Sequence, residues 1–324
     1  MKKILLIGCG ELGSRFLQAS LQVSGVGHIA VVEPSDKALE VAKSRMNQIA
    51  FDKESLLVNF HDSISSAGSG FDLCIIATQA NGREEIFKEV FQLGIKNILT
   101  EKIVCQSLSA YEEILNNEAK SDVNVWVNCK TRAYPVWKYI KSKIGDNEEV
   151  LYHSIGGNHG LCTNGIHSLD LFAFISNSDK FTDQHSRIDP VLQITKRNKY
   201  DLSGDFRLGG ANNSRCVIDY TAGNLSSVLE IVTTPTHRWV LDHATRQAFE
   251  GCFDKNWVLE PILFEGDLSV SNMSKAFIND ILVTGSCELP TLEQTFAAHE
   301  YLFKVTLPVF NTLLGKQDEI CPCT

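Results

Sequence analysis

Three glycines, Gly8, Gly10 and Gly13, spaced as G-x-G-x-x-G, restrict what this 324-residue chain can fold into more than any other feature. Ile4 to Ile7 precede them as a wholly apolar run, long enough for a strand covered on both faces and too short for a helix. Ser14-Arg15-Phe16-Leu17 continues at helical spacing. In a strand–turn–helix each glycine has its own task. Gly8 allows the tight turn, Gly10 lets backbone come against a pyrophosphate, and Gly13 lets helix and strand pack closely. The helix N-terminus offers free N–H groups and partial positive charge to phosphates. A second apolar run, Ile29 to Val32, ends at Glu33, twenty residues past Gly13. A carboxylate there accepts hydrogen bonds from an adenosine ribose. A glycine-rich turn beside an exposed acid is the plainer alternative, yet strand, helix, second strand and acid all stand in their places. The pattern points to a dinucleotide held by Gly8, Gly10, Glu11, Leu12, Gly13 and Glu33. Glu33 repels a 2′-phosphate, and Pro34-Ser35-Asp36 bring no arginine, with Lys37 the only cation nearby. NAD is therefore expected before NADP.

The length exceeds one ordinary core, so two domains are expected. Hydrophobic residues at 44% and charged residues at 21% suit a globular chain in water. A net charge of −9 without a basic run argues against nucleic acid or anionic membrane as partner. Lys2-Lys3 ahead of an apolar stretch is not expected to be a leader, because Gly8 to Gly13 and Glu11 interrupt the run. No segment reaches the length of a membrane span. Ten cysteines are scattered along the chain, as expected of reduced thiols in a cytoplasmic protein. The close pair Cys321-Pro322-Cys323 lacks a second ligand pair at zinc spacing and reads as a frayed tail, so no metal is expected.

Strands and helices alternate through the first part. Strands are expected at Leu56 to Phe60, Phe71 to Thr78, Asn97 to Thr100 and Val123 to Val127. Helices are expected at Gly13 to Val23, after an Asp36 cap through Met46, from Asn81, and from a Ser107 or Ser109 cap to Ala119. Ser63 to Ser69 reads as a polar connection. Six strands alternating with helices imply a parallel, doubly wound sheet. Near Gly145 the pattern changes to short strands: Val150–Ile155, Val191–Thr195, Cys216–Tyr220, Ser227–Ile231, Trp239–Asp242 and Gln247–Gly251. Helices at 165–175 and 292–314 flank them. This reads as an α+β domain on a largely antiparallel sheet. The expected division is a dinucleotide-binding domain at 1–122 and a substrate-binding, oligomerising domain at 123–324, with the helix 292–314 able to pack back on the first.

Open α/β sheets bind ligands at the carboxyl ends of their strands. Thr78-Gln79-Ala80-Asn81 and Thr100-Glu101-Lys102 occupy such ends. Lys102 can stabilise an alkoxide or polarise a carbonyl as hydride moves, or it is a surface lysine; Glu101 is its partner or is solvated. A second constellation runs Gly156-Gly157-Asn158-His159-Gly160, then Thr163-Asn164-Gly165-Ile166-His167-Ser168-Leu169-Asp170. His167 and Asp170 share a helix face. His167 titrates near neutrality and can take a hydroxyl proton, or it is a helix-start histidine satisfied by neighbours. His159 and His153 are weaker candidates. In a third cluster, Asn128 to Pro135, Arg132 or Lys130 can bind an anionic or hydroxyl-rich substrate with Tyr134 packed on it, or these are exposed cations before a helix.

In this order behind G-x-G-x-x-G, the clusters resemble the Gfo/Idh/MocA family, which includes glucose–fructose oxidoreductase and inositol 2-dehydrogenase. The resemblance covers the whole chain. Ile98 to Ile103 is similar to the family's E-K-P segment, Asp72 to Thr78 to its D-x-x-x-x-A-T strand, Arg132 to Pro135 to its R-x-x-P step, and Gly165 to Asp170 to its G-x-H-x-x-D helix. The resemblance implies a Rossmann domain followed by an open-faced sheet domain. It implies Lys102 and His167 as the catalytic pair and a sugar, cyclitol or polyol substrate, free or nucleotide-linked. Thr78, Asn81 and Glu101 then join the cofactor residues, while Arg132, Asn158, His159, Thr163, Asn164 and Asp170 line the substrate side. Two positions depart from the family. Ile103 replaces the proline after E-K, which leaves open a special geometry at that bond. Thr163 replaces an aspartate four residues before the histidine, and threonine cannot stabilise an imidazolium by charge; Asn164, Asp170 or substrate must then orient His167.

The expected activity is an NAD-dependent oxidoreductase acting on a CH–OH carbon of a carbohydrate. An enzyme that retains NAD for epimerisation or lyase chemistry is the alternative within enzymes, and a non-catalytic NAD or sugar sensor the alternative outside them. A homodimer or homotetramer formed through the C-terminal sheet is expected, because few helices are available to cover its two faces.

Overall fold

The structure, a computed structural model, describes residues 1–52, 54–195, 199–223, 226–264 and 270–323. Two compact units emerge. The first comprises Met1–Cys105, Ser109–Asn128 and Asp267–Leu292, and the second Gln106–Leu108, Cys129–Gly266 and Glu293–Thr324.

In the first unit, apolar runs become strands, most of them covered on both faces. These are β1 (Lys2–Ile7), β2 (Val26–Val32), β3 (Leu57–His61), β4 (Leu73–Ile76), β5 (Asn97–Thr100) and β6 (Asn124–Val127). All pair in parallel, in the order β3-β2-β1-β4-β5-β6. The edge strand β3 has no fully buried residue. Ile4, Leu5 and Leu6 and the whole of β4 are fully buried, each large side chain contributing about 1.5–3 kcal/mol. Between them run α1 (Gly13–Ser20), α2 (Asp36–Met46), α3 (Ile64–Ala67), α4 (Arg83–Gln92) and α5 (Leu108–Ser121). The order reverses between β1 and β4, so the ligand crevice of such a sheet lies at their carboxyl ends. Two details differ from the sequence reading. Ser35, not Asp36, caps α2, its Oγ accepting from Ala38 N at 3.4 Å. The connection at Ser63 to Ser69 holds the short helix α3, anchored by buried Ile64. The division expected at 122/123 moves as well, because β6 pairs with β5 and so belongs to the parallel sheet.

The second unit begins with α6 (Pro135–Lys143), β7 (Leu151–Gly157) and α7 (Gly165–Ser176). Short strands follow: β8 (Thr182–Asp183), β9 (Arg187–Ile188), β10 (Gln193–Ile194) and β11 (Tyr200–Asp201). Longer ones complete it: β12 (Gly204–Gly209), β13 (Arg215–Thr221), β14 (Leu229–Thr233), β15 (His237–Asp242), β16 (Gln247–Cys252) and β17 (Glu260–Ile262). Nine of these eleven strands form one sheet in the order β17-β16-β15-β14-β7-β13-β12-β8, with β9 also on β12, while β10 and β11 pair with each other. Every pair is antiparallel except β7 with β13 at the centre. One face is packed: Tyr152 lies edge-on to Trp137 of α6 at 6.1 Å and stacks with Phe172 of α7 at 6.4 Å. On the other face Ile155, Val217, Ile231, Val240 and Phe249 are only half-buried. Two late helices remain, α8 (Val270–Thr284), which packs against α1 in the first unit, and α9 (Leu292–Leu314). Among the described residues no helix is long and apolar enough to cross a membrane.

Candidate active site

The glycine loop leaves β1 and enters α1 with each glycine under a separate constraint. Gly8 has φ +82°, and a Cβ there would lie 2.8 Å from Thr78 N. A Cβ at Gly13 would run into the carbonyl oxygen of Gly8. Gly10 is different: nothing lies within 4 Å of its missing Cβ, so the loop leaves open space where a pyrophosphate would meet backbone. The Glu33 carboxylate, at the end of β2, accepts from Cys9 N at 2.7 Å and from Ser35 N at 3.0 Å. It is thereby fixed beside the loop, 9% exposed. Burial, with Glu33 nearby, pushes the Cys9 thiol up to about 12 and keeps it neutral. Arg45 of α2, which the sequence reading passed over, donates to Ser14 Oγ at 2.7 Å and pairs with Glu11. This arginine is distant in sequence and becomes local only through α2. The loop, the helix N-terminus and Glu33 fit an adenine dinucleotide.

Lys102 follows β5 on a segment secured from below. The Arg83 guanidinium, 1% exposed, donates to Glu101 O at 2.6 Å and Val104 O at 3.3 Å, and also to the carbonyls of Ile103 and Thr78. One buried fork thus holds the backbone on both sides of Lys102 to the end of β4. Burial lowers the Arg83 pKa to about 10, with the Glu101 charge opposing. Glu101 itself is buried and accepts from the Asn128 amide. The Lys102–Ile103 peptide is cis although Ile103 stands where the family carries proline. Thr78 sits between Gly8 and Arg83, while Asn81 is exposed just before α4.

In the second unit, β7 ends in a loop that turns back into α7. Asn158 is left-handed at φ +48° and accepts from Gly223 N at 3.0 Å. His159 is exposed and lies edge-on to Tyr220 at 5.0 Å. Asp201 organises the turn: its Oδ1 accepts from Cys162 N at 2.7 Å and its Oδ2 from Thr163 Oγ1 at 2.5 Å. The Asn164 amide donates to His159 O, and His167 N donates to Asn164 O at 3.0 Å. Beneath α7, Tyr220 bridges Ser168 and Ser154, both at 2.9 Å. Asn158, His159, Thr163, Asn164 and His167 therefore share one loop–helix segment.

Two residues assigned to the substrate side are committed elsewhere. Arg132 makes a bidentate pair with Asp170, Nε to Oδ2 at 2.9 Å and Nη2 to Oδ1 at 2.6 Å. The side chains are 7% and 0% exposed, and Arg132 also lies over the Phe174 ring at 5.1 Å. Burial raises the Asp170 pKa while the arginine opposes it. A guanidinium whose fork is filled has little left for a substrate, so the pair is an internal tie between α7 and the segment before α6. Asp170 is committed to Arg132 and so is not the group expected to orient His167; the acid at this turn is Asp201, which accepts from Thr163 Oγ1. Among the described residues no group of three or more His, Cys, Asp or Glu is arranged to hold a metal ion.

The sequence model of an oxidoreductase family, described as NAD-binding Rossmann fold and named Gfo/Idh/MocA, matches residues 2–129. No curated protein matches the chain in sequence. Solved structures share its fold. UDP-N-acetylglucosamine 3-dehydrogenase GnnA from Acidithiobacillus ferrooxidans is 13% identical with TM-score 0.75, covering 96% of this chain and 99% of that one. An Agrobacterium radiobacter oxidoreductase in complex with NAD+, L-tartaric acid and magnesium is 16% identical with TM-score 0.72, covering 96% and 97%. A super-repressor mutant of Gal80p from Saccharomyces cerevisiae is 16% identical with TM-score 0.72, covering 97% and 96%. Residues 2–129 thus match the NAD-binding Rossmann domain of the Gfo/Idh/MocA oxidoreductase family, and the likeness of the whole chain to the solved structures is one of fold.

Proposed function

We propose that this chain moves a hydride between NAD and a hydroxyl-bearing carbon of a sugar, polyol or nucleotide-linked sugar. The observation that carries the reading is the first unit's sheet crevice. A dinucleotide cradle with open space at Gly10 lies beside Thr78, and Thr78 shares a buried arginine with the backbone flanking Lys102. NAD, when bound, supplies the hydride acceptor. Gly8, Gly10, Gly13 and the α1 N-terminus hold its pyrophosphate and Glu33 its ribose; Glu33 favours NAD over NADP. The Lys102 ammonium binds the reacting oxygen and lowers the energy of negative charge developing there. His167 takes the hydroxyl proton during oxidation and returns it during reduction. Asn158, His159, Thr163 and Asn164 belong to the sugar side.

The test is an NADH-formation assay across neutral, acidic and nucleotide-linked sugars, run on wild type and His167→Ala. The variant is expected to turn over roughly 10²–10⁴-fold more slowly; equal rates remove His167 from the proton step. The same panel without added cofactor identifies an enzyme that recycles retained NAD, and binding of NADH with no turnover on any sugar favours a sensor.

We further propose a homodimer or homotetramer built on the half-buried sheet face of Ile155, Ile231, Val240 and Phe249, and a reducing cytoplasmic setting. All ten cysteines are free thiols, which supports the latter.

A further inference from the structure

The tail motif Cys321-Pro322-Cys323 is not frayed. Both thiols are fully buried, and so is Cys162, which is far away in sequence. Cys321 Sγ and Cys323 Sγ lie 3.2 Å apart. Cys162 lies near enough for it and Cys323 to act on each other's thiol. The tail is fastened on both sides. Cys321 N donates to Gln106 O at 2.7 Å and Gln106 Nε2 to Cys323 O at 3.0 Å. Thr306 of α9 reaches Cys321 Sγ at 3.6 Å. Cys162 begins the Asp201-held turn that leads through Thr163 to His167.

Packing alone needs small apolar side chains here, not two sulfurs in contact with a third buried thiol beside them. The arrangement does not suit a metal ion. It does suit thiol–disulfide exchange, which needs one sulfur within reach of two. We infer that Cys162, Cys321 and Cys323 form a disulfide site centred on Cys323, in which a peroxide joins Cys323 to Cys321 and Cys162 then takes over the bond.

The first step consumes two thiols and one peroxide. The sulfurs give up two electrons and two protons, the S–S bond forms, the O–O bond breaks, and hydrogen peroxide leaves as two waters. The sulfurs need close by only about 1 Å to reach bonding distance. In the second step the Cys162 thiolate attacks Cys323, and Cys321 leaves and takes up the proton that Cys162 lost. No further oxidant is needed. The bond then ties the tail to the turn before α7 instead of closing a small loop within the tail. Burial pushes the Cys162 thiol up to about 12, and the contacts within the trio hold Cys321 and Cys323 well above the usual thiol range. The trio is therefore inert while closed, and oxidation proceeds through local openings of this segment.

The experiment uses the whole protein. It is treated with hydrogen peroxide, alkylated with N-ethylmaleimide under denaturing conditions, digested without reductant and mapped by mass spectrometry. Expected are a Cys321–Cys323 bond within the tail peptide and a Cys162–Cys323 cross-link, both reversed by dithiothreitol. Two of the three thiols lose maleimide labelling while Cys74 and Cys216 keep it. Cys323→Ser and Cys321→Ser lose both bonds, and Cys162→Ser keeps only the tail bond. The wild-type map decides the matter even if a variant folds poorly. Full labelling of all three after oxidation overturns the proposal, as does irreversible sulfinic acid without a disulfide, or stoichiometric metal on the purified chain. The readout is covalent, so it stands or falls independently of any sugar turnover.

Discussion

Arg83 occupies the first turn of α4, where the helix dipole already presents positive charge. Glu84 and Glu85 beside it are the residues a helix start favours. The misplaced cation was a signal in the sequence, but its meaning depended on knowing that β4 and β5 end side by side. Arg83→Met leaves the carbonyls of Thr78, Glu101, Ile103 and Val104 without their donor, at about 1–3 kcal/mol for each group that water does not reach. A fall of roughly 3–5 kcal/mol in unfolding free energy is expected by denaturant titration. Arg83→Lys should not restore it, because an ammonium has no planar fork. Arg132 and Asp170 illustrate the opposite error. Charged residues beside a motif were read as contacts for a ligand, and nothing local in the sequence announces that they find each other. Asp170→Asn should cost about 3–5 kcal/mol, since it breaks a buried pair and strands the arginine; a change near zero would mean water reaches the guanidinium. His243 gives a pH signature. Its Nε2 lies 2.5 Å from Glu230 Oε2, and that hydrogen bond raises its pKa above 6.5 against the effect of burial. The folded state then holds the proton more tightly than the unfolded chain. The stabilisation is complete below pH 6.5 and fades as pH rises through the raised value. Wild type should lose denaturation midpoint across that window, and His243→Gln should show a flatter profile.

Among elements, those with a strong local pattern were legible. The inner parallel strands read as apolar runs because both faces are covered, and α9 was expected and found at the same bounds. The two-residue strands β8, β9 and β11 carry no pattern, since they exist only where β12 or a ribbon partner offers hydrogen bonds. β12 was passed over despite an alternation of buried Phe206 and Leu208 with Asp205 and Arg207, and α8 despite buried Ser274, Phe277, Ile278 and Ile281 at helical spacing. Both signals are period-correct but sit in a stretch crowded with turns. The turn before α7 has a sharper local requirement. Gly160 has φ +76°, and any side chain there would fall against Asp201 and Thr163. Gly160→Ala should destabilise by at least about 1–3 kcal/mol and displace the His167 turn, read as a lower melting temperature together with lost turnover. Full stability would show that the turn has another way to close.

For the whole molecule, binding and association are the measurable consequences. If the crevice takes NAD, a hundredfold excess over Kd adds about 2.7 kcal/mol to stability, seen as a melting shift that Gly10→Val should abolish. If the half-buried sheet face joins copies, Val240→Glu places a charge opposite Ile231, and sedimentation should report a smaller species; an unchanged species moves the interface elsewhere. The parallel pairing of β7 with β13 reaches further than site geometry. Parallel neighbours need a long crossover, and here that crossover carries α7, the short strands and β12. The sheet's centre therefore closes only after the segment bearing His167 has already been laid down. Assembly must wait on a distant return of the chain, which favours slow folding, and the histidine segment is made obligatory scaffolding: no deletion or transplant of it can leave the middle of this sheet joined.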